Sequence, residues 1–145
     1  MVRRFLLPLL LVAALLLPRR ATAHALFPGF LELEASGPSN YQMLWKLPLL
    51  QGQELPIAPR FPDDCALNGD WATRREARAL VYRAQLRCRE PLEGRAISID
   101  GLAGAGTEVL LRVKAWQSDS PQTLLIPPER PSAVIPFASE ADAQP

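Results

Sequence analysis

Apolar and polar residues alternate with a period of two through most of this chain. Across residues 79–88, Leu80, Tyr82, Ala84, Leu86 and Cys88 interleave with Val81, Arg83, Gln85 and Arg87. Successive side chains of a strand point to opposite faces of a sheet, so this pattern predicts a half-buried β-strand with the first set inward. The stretch 108–115 repeats it, with Val109, Leu111, Val113 and Ala115 on one face and Glu108, Leu110, Arg112 and Lys114 on the other. In 41–47, Tyr41, Met43, Trp45 and Leu47 take the inner positions, and in 30–35 Leu31, Leu33 and Ala35 do so opposite Glu32 and Glu34. Trp45 is the foremost core aromatic, because a large ring at the middle of an alternating strand buries the most area.

Shorter candidates fill the gaps. The stretch 96–100 reads as a strand joined to 108–115 by a Gly/Ala-rich turn, and the two are expected to form a core hairpin. Residues 55–60 carry Pro56 and Pro59, which demotes them to an edge strand or extended loop. Residues 122–126 and 132–136 are strand candidates separated by Pro127, Pro128 and Pro131. Turn signals fall at Pro28-Gly29, 36–40, 62–64, Asn68-Gly69-Asp70 and 90–94, and Pro48 is expected to end its strand. The total is seven to eight short strands and no helix-period segment. That predicts an all-β fold, an antiparallel β-sandwich of immunoglobulin-like type.

The amino terminus breaks the pattern. A basic start at Arg3 and Arg4 precedes an apolar run over 5–17, and Ala21-Thr22-Ala23 fits the small-x-small rule for signal-peptidase cleavage. Thirteen apolar residues rise only about 20 Å as a helix, too short for a hydrocarbon core of about 30 Å. Residues 1–23 are therefore expected to be a signal peptide for the general secretory route, 24–137 the β-domain and 138–145 a disordered tail. The expected location is periplasmic or secreted, with no transmembrane segment in the mature chain. Removing the signal takes four of the 16 basic residues, leaving 12 against 15 acidic ones, a formal charge of −3. A mildly acidic domain gives no electrostatic reason to expect nucleic-acid binding.

Candidate chemistry is sparse. Cys65 and Cys88 are the two cysteines, and in an exported chain such a pair is most simply a disulfide. Closing a loop of about 24 residues is worth roughly 3 kcal/mol in the chain-entropy picture. His24 is the single histidine. Cleavage after Ala23 would make it the first residue, where its α-amine and imidazole together suit copper or nickel. Cleavage after Ala25 would discard it. Glu32 and Glu34 read as a solvated strand face, Asp63-Asp64 as a solvated turn without calcium-loop spacing, and Arg74, Arg75 and Arg78 as surface charge. Gly101, Gly104 and Gly106 lack the GK[ST] of a phosphate loop and read as turn residues. With one histidine and no nucleophile–base pair, the chain is expected not to be an enzyme.

A resemblance adds to these readings. The signal followed by Ala-His, then FLELE, YQMLWKLP, the late cysteine pair and IDGLAGAGTEVLLRV, is similar in order and spacing to the extracytoplasmic N-terminal domain of the HupE/UreJ family. Members of that family, the hydrogenase and urease accessory membrane proteins, carry a multi-helix membrane domain after this module, associated with uptake of nickel or related metals. The chain stops at AQP, where a member would approach its first membrane helix, so neither transport nor the membrane-helix ligands carry over. The resemblance implies a noncatalytic periplasmic module that binds or presents nickel or copper, with His24 as the contact, or docks to a membrane transporter or other envelope protein. The alternatives are a general protein–protein interaction domain without metal and a truncated remnant of such a transporter.

Overall fold

The computed structural model describes residues 27–137, so the expected signal peptide over 1–23 and tail over 138–145 lie outside the described residues. Ten strands occur among them: β1 (Gly29–Gly37), β2 (Asn40–Leu50), β3 (Gln53–Glu54), β4 (Ala58–Arg60), β5 (Ala66–Arg75), β6 (Ala79–Arg87), β7 (Ala96–Asp100), β8 (Val109–Lys114), β9 (Gln122–Ile126) and β10 (Ser132–Val134). They form a two-sheet sandwich. The large sheet runs β5-β6-β2-β1-β8-β9, with β3 paired to the far end of β2, and the small one runs β10-β7-β4.

The alternating stretches form the large sheet, and their inner faces are the core. Leu31, Leu33, Met43, Trp45, Leu86, Val109 and Leu111 are buried, as the period of two predicts. Ile97 and Ile99 of β7 oppose them from the small sheet, while Leu92, Leu102 and Ile135 seal the layer from connecting segments. Burying each such side chain is worth about 1.5–3 kcal/mol. Tyr41 crosses the layer: its hydroxyl accepts the buried N–H of Leu92 at 3.0 Å, tying β2 to the loop before β7.

Four expectations need correction. First, β7 and β8 are not a hairpin. β7 pairs with β4 and β10, whereas β8 pairs with β1 and β9. Both strands carry one apolar face, and placing them in opposite sheets buries those faces against each other. The link between them contains a 3₁₀ turn, Leu102–Gly104, that drives Leu102 fully into the core. Gly101 starts it at φ 77°, and a Cβ there would run into the carbonyl oxygen of Pro56; only glycine meets both demands.

Second, the sheet is not wholly antiparallel, since β1 and β8 run parallel in register from Gly29–Val109 to Glu34–Lys114. Third, Asn68-Gly69-Asp70 is not a turn between strands but a bulge inside β5, with the register against β6 shifting between Asn68 and Ala72. Gly69 takes φ 86° there, so a turn-forming dipeptide is spent on a bulge that bends an edge strand. Fourth, Pro48 does not end β2. It pairs opposite Ala79 beyond the last β1–β2 pair, Phe30–Lys46, so its missing N–H faces the side where β1 has not yet begun. The segment 55–60 does yield an edge strand, β4, as its prolines predict.

Width is the remaining feature. Three strands cannot cover seven, so Tyr82 and Ala84, which point inward, are only partly buried. A cleft of about 490 Å³ lined by Trp45, Leu67, Tyr82 and Ile57 opens beside β4.

Candidate functional site

The outer face of the large sheet carries the most organised surface. Reading across the ladders gives successive rows of neighbours. One row holds Arg74, Val81, Lys46, Phe30, Leu110 and Leu125. The next holds Ala72, Arg83, Leu44, Glu32, Arg112 and Thr123, and a third holds Asn68, Gln85, Gln42, Glu34 and Lys114. The face is therefore apolar at the end where β1 begins and polar toward the other end.

In the polar part, the carboxylates read as solvated are paired. Parallel registry sets Glu32 beside Arg112 and Glu34 beside Lys114, each at 3.3 Å. These are exposed cross-strand pairs, worth little individually, and their effect is to neutralise the two glutamates. A shallow trough of about 520 Å³ runs beside them past Gln42, Asn68, Arg83 and Gln85.

The apolar end is different. A groove of about 510 Å³ is lined by Phe27, Phe30, Pro48, Ala79 and Leu110. Pro48 and Ala79 are buried at its floor, whereas Phe27 is 55% exposed and Arg78 lies over its ring at 5.0 Å, a cation–π contact at the rim. Lys46 binds Glu76 at 2.7 Å, and this hydrogen bond, with the fields of Arg74 and Arg83, holds the Glu76 carboxyl below its ordinary value. Leu125, 52% exposed, extends the apolar row toward the sheet edge. Arg74, Arg75 and Arg78 are exposed, as the reading of surface charge expects, and Arg78 in addition lines the groove. Leu110 was placed outward correctly, but only the register shows that Phe30 is its neighbour.

Cys65 and Cys88 are joined, as expected, with Cα atoms 3.9 Å apart. They lie one step beyond the Ala66–Arg87 pair, so the bridge closes the end of the β5–β6 ladder and holds the proline-rich approach to β5 against a core strand. Beside it Asp64 departs from a solvated turn. Its carboxylate accepts from the Arg95 guanidinium and from the backbone N–H groups of Arg89 and Glu90, at 3.1 and 3.3 Å. The Arg95 contact foremost, aided by the Glu90 N–H, holds the Asp64 carboxyl far below the usual carboxylate range. Nothing local in Pro62-Asp63-Asp64 announces a partner 31 residues away.

His24 lies outside the described residues. Among the described residues no three His, Cys, Asp or Glu side chains group to hold a metal, so the nickel or copper expectation rests on His24 and the terminal amine. No helix among them is long and apolar enough to cross a membrane. Compared with known proteins, the chain matches no family model, and no curated protein matches it.

Proposed function

We propose that this chain is a noncatalytic extracytoplasmic module that docks to an envelope partner, a membrane transporter in the reading that follows its likeness to the HupE/UreJ ectodomain. The observation that carries the docking is the groove at Phe27, Phe30 and Leu110, an apolar recess on a sheet face that the sandwich itself leaves uncovered. Contiguous exposed apolar surface on a folded domain marks an interaction site. The disulfide supports an oxidising compartment, where such bonds form and persist. The test is a photo-crosslinking residue placed at position 110, compared with one at position 130 in the exposed turn before β10, in cells exporting the chain. Discrete adducts from position 110 alone support docking through this face; the same adducts from both positions, or none, remove it.

The metal-presenting part of the proposal stands on the Ala23-His24 junction. Mature protein beginning at His24 is expected to bind Cu(II) or Ni(II), with the α-amine and imidazole as adjacent ligands. Calorimetry on His24→Ala is expected to show that binding lost; equal heats for the two proteins, or an exported chain beginning at Leu26, end the metal reading.

A further inference from the structure

We infer that the groove at the β1 end of the large sheet takes an apolar peptide segment bearing carboxylates, an inference that rests on the docking reading above and names the partner's chemistry. Charge complementarity carries it. Lys46, Arg78 and Glu76 line the groove, Arg74 and Arg83 lie further out within the field of Glu76, and Arg112 is paired with Glu32 on the polar part of the face. The mature chain as a whole has 12 basic residues against 15 acidic ones, so this cationic border runs against the balance of the molecule. Both glutamates are taken up by Lys46 and Arg112. The surplus cations on a rim around an apolar floor select a partner that brings negative charge with its apolar side chains, chiefly by steering its approach and disfavouring basic competitors.

Shape decides between a peptide and an anionic lipid surface. The floor, Pro48 and Ala79, is buried, while Phe27, Pro28 and Arg78 stand exposed above it. A flat bilayer would rest on the rim and leave the floor empty; a side chain projecting from a peptide reaches it. The neighbouring polar trough offers no comparable apolar floor. The cleft beside β4 does not accept an added strand readily, because this three-residue edge strand carries Pro59, which has no N–H to donate.

The experiment uses protein exported from the full-length sequence and three probes: a fluorescein-labelled peptide alternating leucine with glutamate, its leucine–lysine counterpart, and vesicles of phosphatidylglycerol. Fluorescence anisotropy in low salt is expected to show binding of the glutamate peptide alone. The double variant Arg74→Glu, Arg78→Glu should weaken it at least about tenfold, the scale of 1.4 kcal/mol, and Leu110→Asn should weaken it comparably. Circular dichroism and the thermal midpoint check that each variant remains folded. Equal binding of the two peptides, indifference to the arginine reversal, or binding to vesicles without binding to peptide overturns the inference. If adducts from position 110 persist in the arginine-reversed chain, docking stands and the acidic partner falls; if position 110 gives none at all, docking itself falls.

Discussion

At the scale of single residues, a few positions hold geometry that no neighbour can replace. Gly101→Ala places a methyl against the Pro56 carbonyl at a positive φ, both costs at once. It is expected to destabilise the domain by about 2–4 kcal/mol, read as a lower urea midpoint with an unchanged slope. Asp64 makes a pH prediction. Its carboxyl is held below the ordinary 3.8, so its stabilisation is complete above that value and is lost as pH falls through the range below it. Asp64→Asn should therefore be less stable than the parent at neutral pH, and the gap between the two should narrow as pH drops below 3.8. A gap independent of pH would mean that the side chain acts through packing and not charge. Of these residues, Trp45 and the cysteines were legible in the sequence because burial periodicity and pairing are local or compositional signals. Asp64 with Arg95 was not, since its meaning depends on two loops meeting across the fold.

At the scale of elements, what the sequence shows well is faces, and what it shows poorly is partners. Each inner position of β1, β2 and β8 followed from alternation, yet the same alternation suits a strand in either sheet. The pairing of β7 with β8 was inferred from adjacency, and the opposite arrangement buries the same residues. β5 was missed for another reason: Asn-Gly signals a turn and a bulge alike, and only the ladder on either side distinguishes them. The apolar groove was invisible because its lining comes from β1, β2, β8 and the β5–β6 turn. The disulfide belongs to this scale. It closes the β5–β6 ladder at one end, so reducing it should free the edge strand and cost roughly 3 kcal/mol, the value for a loop of this length. Denaturation curves with and without reductant measure it. A loss confined to β5, seen as faster amide exchange there with the core protected, would show that the strand opens locally before the domain unfolds.

At the scale of the whole molecule, the parallel contact between β1 and β8 joins the beginning of the described chain to a strand some 80 residues later, as the Glu32–Arg112 and Glu34–Lys114 bonds show. Contacts this distant are slow to form, because the loop must close before they return any stabilisation. A chain emerging in order can assemble β5, β6, β2 and β1 early, but not the β8–β9 side of its own large sheet. Until residue 114 is free, β1 presents an open, strongly apolar edge, with Leu31 and Leu33 uncovered on their core face. A chain truncated after Asp100 should therefore aggregate or bind a holdase chaperone instead of folding, and a permuted chain beginning at Val109 should fold faster than the natural one. Stopped-flow Trp45 fluorescence distinguishes the two orders; equal rates would mean that the parallel pair forms after the rate-limiting step. The same connection gives the nascent chain a period of vulnerability, during which the strand that later frames the groove is paired on one edge only.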